Sequence, residues 1–238
     1  MSKALKTYLT LSSLFIAALV SCNLIFQKFF VWQPLAFLSD SDVGFISNIG
    51  KFKFELSVGI LPYPITFLIT DIISEIFGRK RANQTVLAGF FAAAFMLLIV
   101  VISDAVPATS WSPVDGDTFH TVFGLTPAAV GASMAAYLLA QLIDVRVFHF
   151  WKNLTNGKML WVRNNFSTMV SQMVDTATVL LLLCLAGVLQ WSQFWTLFGM
   201  GFLFKILIAA IDTPLLYLAV FLFRKSFHLR AGEEIKHL

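Results

Sequence analysis

The sequence predicts an all-α integral membrane protein of about six transmembrane helices, with both termini on the cytoplasmic side, and three observations predict it. Hydrophobic residues make up 58% of the chain and charged residues 13%, with a mean hydropathy of +0.80, a combination that a water-soluble domain of 238 residues does not sustain. The apolar residues fall into six runs, each near the length of about 20 residues that a helix needs to cross a hydrocarbon core roughly 30 Å thick. The basic residues sit at the ends of those runs, on one side of the implied bundle, where they act as topology signals. Six such runs leave little chain for a soluble region, so residues 1–238 are expected to form a single membrane domain.

The first run, Tyr8–Phe30, follows Lys3 and Lys6 as the apolar part of a signal peptide would. Its length, and the lack of a small-residue cleavage pattern, favour a retained helix. Asn23 and Gln27, one turn apart near its outer end, suit capping or interfacial hydration, or the lining of an entrance. A loop with Asp40, Asp42, Asn48, Lys51 and Lys53 leads to the second run, Leu56–Phe77, which contains Pro62 and Pro64 and ends at Gly78-Arg79-Lys80-Arg81. The third run, Thr85–Val106, opens into a loop with Asp104, Pro107, Pro113, Asp115 and Asp117 and no Lys or Arg. Thr126-Pro127 reads as an N-cap and first-turn proline for the fourth run, Pro127–Phe150. The fifth, Phe166–Gln190, follows a connection with Lys152, Lys158 and Arg163, and the sixth, Phe194–Phe223, contains Pro214. Pro62, Pro64 and Pro214 predict kinks or broken turns, because proline removes a backbone donor and frees a carbonyl; at membrane depth that is tolerated where protein or a water-filled cavity surrounds it. The basic residues at Lys3–Lys6, Arg79–Arg81, Arg146–Arg163 and Arg224–Lys236 share one side, which the positive-inside rule makes cytoplasmic.

Five acids lie in or at the ends of the apolar runs: Asp71, Glu75, Asp144, Asp175 and Asp212. A carboxylate at a helix centre costs about 2.5–3.5 kcal/mol on insertion scales, so this set demands inward facing, pairing or water. Asp71 and Glu75 are one turn apart, and so nearly are Gln141 and Asp144, and Gln172 and Asp175. Two helices thus carry the same Gln-x-x-Asp element, whose amide and carboxylate suit a flat heterocycle with several N–H groups; polar contacts that only hold helices together are the structural alternative. Lys205 and Asp212 are seven residues apart on one face, so Lys205 can neutralise an acid of a neighbouring helix or form a structural pair. Arg163 and Asn164 precede the helix with Gln172 and Asp175 and are placed to close the inner end of a cavity, with Arg163 pairing an acid such as Glu75. Trp161 reads as an interfacial anchor, and Trp161 and Tyr63 are the nominated aromatic wall.

Several function classes are excluded. The net charge of +4 belongs to topology and implies no nucleic acid, and Cys22 and Cys184 lie in apolar runs without metal or redox spacing. No phosphate loop, HExxH or GxSxG motif is present, so the sequence offers no catalytic residues, metal site or cofactor. An intramembrane aspartyl protease would need a Gly-Asp motif, whereas Asp71, Asp144, Asp175 and Asp212 follow Thr, Ile, Val and Ile.

Pro62-Tyr63-Pro64, then Thr70-Asp71-x-x-x-Glu75-x-x-Gly78-Arg79-Lys80-x-Ala82, resembles the second-helix motif of the YhhQ-type queuosine precursor transporters. Gln141-x-x-Asp144-Val145, Thr155-x-Gly157-x-x-x-Trp161-Val162-Arg163-Asn164 and Ser167-Thr168-x-x-Ser171-Gln172-x-x-Asp175-Thr176 are similar to the same family in order and spacing, over about Leu61 to Thr213. The resemblance implies a fold related to vitamin-uptake substrate-binding subunits and import of 7-deazaguanines such as preQ0, preQ1 or queuine across a bacterial inner membrane, for salvage into tRNA. For such a solute the residues themselves suggest that Asp71, Glu75, Gln141, Asp144, Gln172 and Asp175 converge on one mid-membrane site, with Arg163 and Asn164 at its cytoplasmic edge and Asn23, Tyr63, Trp161, Lys205 and Asp212 lining or pairing around it. The alternative is a substrate-binding subunit that depends on a separate energy-coupling ATPase for another small solute. The expected partners are the lipid bilayer and a small 7-deazapurine, with homo-oligomerisation left open.

Overall fold

The computed structural model describes residues 2–25, 28–33, 36–39, 53–124, 127–156, 158–185, 187, 189–230 and 232–235. Among them are α1 (Lys3–Ile25), β1 (Phe29–Trp32), β2 (Phe54–Ser57), α2 (Tyr63–Ile76), α3 (Arg79–Ala105), α4 (Gly116–Phe123), α5 (Pro127–Leu154), α6 (Leu160–Leu185) and α7 (Phe194–Phe227). Lys3–Ile25, Val58–Ile76, Arg79–Ala105, Leu160–Leu185 and Trp191–Phe227 are long and apolar enough to cross a membrane. The 28 residues of α5 reach about 42 Å at the helical rise, so it is the sixth long helix. The expectation of an all-α membrane protein is met; Gln27, Asp40, Asp42, Asn48, Lys51, Thr126, Gly157 and Lys236 lie outside the described residues.

The surface is inverted relative to a soluble protein. Phe91, Phe95, Leu98 and Ile102 of α3 and Ile211, Leu215, Leu218 and Phe221 of α7 point outward, as side chains solvated by lipid tails do. The interior of α2, by contrast, holds Thr66, Thr70, Asp71, Ser74 and Glu75, all buried. α2 is the innermost helix and packs on α1, α3, α5 and α7, while α6 lies against both α5 and α7. Phe15 and Leu19 of α1, Ile73 and Ile76 of α2, Val86 of α3, Tyr137 and Phe148 of α5 and Leu216 of α7 form the apolar core around it.

Three expectations are corrected. The run Tyr8–Phe30 is helical only to Ile25, and β1 pairs antiparallel with β2, Phe29 opposite Ser57 and Trp32 opposite Phe54. A short apolar run rich in aromatics fits a strand as well as a helix, and periodicity alone does not separate them. Of the kinks or broken turns expected at Pro62 and Pro64, the structure has the broken turn and not the kink: Pro62 is the N-cap of the helix and Pro64 lies in its first turn, where a missing N–H costs nothing. The chain before them, Val58–Ile60, is a single 3₁₀ turn, so α2 has only 14 residues. The acidic loop also contains a helix that was not anticipated, α4. The Asp115 side chain caps it by accepting the Thr118 backbone N–H at 2.7 Å, which holds this carboxyl below its usual range. Pro214, as expected, sits inside a helix, where the Thr213 hydroxyl donates to the Ala209 carbonyl at 3.0 Å.

α2 and α3 are joined at Gly78, whose φ of +82° is open to glycine and strained for other residues. A Cβ there would also lie 2.3 Å from the Glu234 carboxylate, because the C-terminal tail returns to this corner and the Ile235 N–H donates to the Ile76 carbonyl at 2.8 Å.

Candidate functional site

The buried polar residues form three levels, each about one helical turn from the next. The outermost surrounds a cavity of about 520 Å³ enclosed by α1, α2, α3, α5, α6 and α7. Most of its wall is apolar, and its polar groups are Asn23, Ser133, Tyr63, Tyr137, Asp175, Thr176 and Lys205. Asp175 organises them: its Oδ2 accepts from the Tyr63 hydroxyl at 2.8 Å and from Lys205 Nζ at 2.5 Å. Lys205 donates further to the Thr176 hydroxyl at 3.1 Å, and its Nζ lies 5.1 Å from the Tyr63 ring centroid. Lys205 therefore neutralises an acid of the neighbouring helix, and its ion pair is with Asp175 rather than Asp212. Asp212 shares with Lys205, Tyr63, Thr168 and Gln172 the lining of a narrow cleft of about 20 Å³ between α2, α6 and α7.

The middle level lies one turn further along α5 and α6, where Tyr137 gives way to Gln141 and Asp144, and Asp175 to Gln172 and Ser171. Gln141 is fully buried; its Oε1 accepts from the Thr70 hydroxyl at 3.3 Å, and its Nε2 reaches the Thr66 hydroxyl at 3.5 Å. Asp71 faces Asp144 across the contact between α2 and α5, and Asp144 Oδ1 accepts from the Ser171 hydroxyl at 3.0 Å. Asp71 Oδ1, Asp144 Oδ2 and Gln172 Oε1 are buried with no hydroxyl, amide or cationic donor on them, and the two carboxyls lie close enough to share a hydrogen bond with each other. Unpaired buried acceptors cost about 1–3 kcal/mol each, so the level has acceptor capacity that its own donors leave unfilled.

The innermost level is an ion cluster centred on Glu75. Its Oε1 accepts from Arg163 at 2.6 Å and from Arg224, while Lys152 donates to the Glu75 carbonyl at 3.1 Å and to Glu234 at 2.8 Å. Arg163 also donates to the Lys158 carbonyl at 2.9 Å and lies 5.6 Å from the Phe148 ring centroid. α2, α5, α6, α7 and the tail are thereby tied together at the basic end of the bundle, and Glu75 and Arg163 are both fully buried.

The eight residues assigned to one site are therefore divided. Asp71, Gln141, Asp144 and Gln172 come together; Asp175 belongs to the cavity one turn away; Glu75 and Arg163 pair with each other, as their placement suggested, in a cluster of their own with Arg224 and Lys152. Asn164 Nδ2 donates to Thr213 at 3.3 Å in the contact between α6 and α7. Tyr63 and Asn23 line the outer cavity, but Trp161 does not: its ring is 51% exposed at the start of α6, in keeping with an interfacial anchor. Sequence reasoning missed Lys152, Tyr137 and Arg224. Tyr137 lies one turn before Gln141 and Lys152 about two turns after Asp144 along one stripe of α5, a periodic signal in the sequence; Arg224 reads there only as a topology signal.

A family described as "Putative vitamin uptake transporter" matches residues 57–219, a stretch that holds the whole middle level and all of the ion cluster except Arg224 and Glu234. The chain is similar to the "Probable queuosine precursor transporter" of Bacillus subtilis (strain 168), with 26% identity over 194 residues, 80% of this chain and 82% of that protein. It is 32% identical over 125 residues to the protein of the same description from Haemophilus influenzae, covering 52% of this chain and 50% of the relative. A similar stretch of 124 residues, also 32% identical and covering 52% of each chain, matches the "Queuosine precursor transporter" of Escherichia coli (strain K12). No solved structure matches significantly.

Proposed function

The chain belongs to the vitamin uptake transporter family, a family of multi-pass membrane transporters rather than enzymes, and we propose that it imports queuosine precursors, 7-deazaguanines such as preQ0, preQ1 or queuine. The observation that carries this reading is the middle level, where the facing carboxyls of Asp71 and Asp144 and the amide of Gln172 are buried together with acceptor capacity beyond what Ser171 and their mutual contact fill. A guanine-like edge offers N1–H and an exocyclic amine side by side, the donors that a carboxylate accepts together, and burial strengthens such bonds. Gln141 and Gln172 supply amide N–H groups for the neighbouring ring carbonyl. The names of the three relatives support the same solute class.

In this reading the solute enters the outer cavity, where Tyr63 and Tyr137 offer ring faces, and passes Asp175 to reach the paired acids. The cluster of Glu75, Arg163 and Arg224 closes the pathway toward the cytoplasm, the side assigned to the basic end by its charges. Asn164, the residue after Arg163, holds α6 to α7 at that edge.

The test is queuosine content of tRNA in cells that neither make its precursors nor carry their own importer, with this chain expressed and each precursor supplied at low concentration. The chain alone is expected to restore queuosine, and Asp71→Asn and Asp144→Asn variants that reach the membrane in normal amount are expected to fall at least tenfold. Restoration at the native rate by both variants would remove those acids from the solute site. Absence of restoration by any precursor, with the native chain in the membrane, would overturn autonomous import and favour a chain that needs a separate energy-coupling ATPase.

A further inference from the structure

Beside the ion cluster, where α6 begins and α7 ends, lies a second cavity of about 820 Å³, separate from the cavity of Tyr63 and Asp175. Its polar lining is Lys158, Arg163, Tyr217, Arg224, Lys225 and His228, and its apolar lining includes Met159 and Phe221. Among the described residues, the only acid paired with these cations is Glu75, which Arg163 and Arg224 share, so Lys158, Lys225 and one guanidinium charge remain uncompensated. Arg163 is fully buried and lines the cavity, yet its Nε has no hydrogen-bond partner, and neither has Arg224 Nε. A concave site with excess positive charge focuses its field on an anion, and guanidinium groups with unused donors fit the tetrahedral oxygens of phosphate. The described lining offers cationic donors and no free carboxylate, whereas the site proposed for a 7-deazaguanine is built on the carboxylates of Asp71 and Asp144.

The position of the cavity selects the kind of phosphate. It opens at the end of the membrane-spanning part of α7, and Met159 and Phe221 at its rim are 60% and 62% exposed, apolar surface at the depth where acyl chains begin. We propose that this cavity binds the phosphate of an anionic phospholipid headgroup, with Lys158, Lys225 and Arg224 on the phosphate and Met159 and Phe221 against the upper acyl chains. The lipid then bridges the start of α6 to the end of α7 at the level of the Glu75 cluster.

Thermal unfolding of the full chain in neutral detergent tests this, with short-chain phosphatidylglycerol, short-chain phosphatidylcholine or inorganic phosphate added. Phosphatidylglycerol is expected to raise the midpoint saturably by about 5 °C, with no comparable rise from the other two. The Lys158→Gln/Lys225→Gln variant, which changes two exposed side chains, is expected to lose that rise. Equal protection by inorganic phosphate would make the site one for a soluble anion, and equal protection by phosphatidylcholine, or an undiminished rise in the variant, would also overturn the proposal. Mass spectrometry of the purified chain gives a second readout: anionic lipid retained by the native protein and depleted at least fivefold in the variant supports the site, and equal retention refutes it.

Discussion

Asp175 is held by two donors on one oxygen, a phenol and an ammonium, in a setting where its side chain is 9% exposed and that of Lys205 15%. A charge pair this enclosed is valuable mainly as a pair: removing one partner strands the other, which costs about 3–5 kcal/mol, whereas removing both costs far less. Lys205→Met and Asp175→Asn are therefore each expected to lower stability by about 3 kcal/mol, and the double variant to regain most of the loss, as read by thermal unfolding in detergent. Additive losses would mean that the two side chains act separately. Part of this arrangement was legible in the sequence, because a lysine in an apolar run demands an acid. Which acid was not legible: the spacing points Lys205 to a neighbouring helix without choosing among its acids, and only the packed bundle shows that it reaches across to Asp175. For the same reason Glu75 and Asp71, one turn apart on α2, were read as one site, and only the arrival of Arg163, Arg224 and Lys152 from other elements separates them. Spacing along a helix fixes a face, and the partners on that face come from distant parts of the chain.

At the scale of elements, the long apolar runs specified helices well, since a bilayer leaves the backbone few other ways to satisfy its hydrogen bonds. They failed at the outer edge, where β1 and β2 pair and where the run around Pro62 is cut into a turn and a short helix. Outside the hydrocarbon the backbone is free to choose, and composition no longer decides. Helix packing depends on smaller cues. Gly89 of α3 is where α1 comes closest: a Cβ at this position would lie 2.5 Å from the ring edge of Phe15 and 3.1 Å from Leu19. Phe15 is fully buried and tilted against Tyr137 at 6.5 Å between centroids, so it has little room to withdraw. Small residues at such contacts let membrane helices approach when no hydrophobic force drives them together. Gly89→Ala is expected to cost about 1–3 kcal/mol through overpacking, measured by unfolding in detergent. An unchanged midpoint would mean that α1 shifts on α3 without loss.

At the scale of the molecule, the arrangement has a direction. Its charges are segregated, with Arg79, Lys80, Lys152, Lys158, Arg224 and Lys225 at one end and the acidic loop around α4, with Asp104, Asp115 and Asp117, at the other. The six-helix path puts the start of α1, the α2–α3 turn, the α5–α6 connection and the end of α7 together at the basic end. The tail reinforces this: Glu234 on Lys152 and Ile235 on Ile76 hold residues 234 and 235 against the end of α2. Import through the outer cavity requires the basic end to face the cytoplasm, and the protein's own chemistry makes that easy to test. Cys22 and Cys184 are free thiols but buried, so they give little background to a thiol reagent that does not cross membranes. Thr109→Cys, in the exposed acidic loop, is expected to react with an impermeant maleimide applied to intact cells with a permeable outer layer. Asn153→Cys, exposed near the end of α5, is expected to react only after the membrane is opened. The reverse pattern would put the ion cluster, rather than the cavity of Tyr63, Asp175 and Lys205, at the external mouth, and the route described for the solute would have to run from the basic end upward.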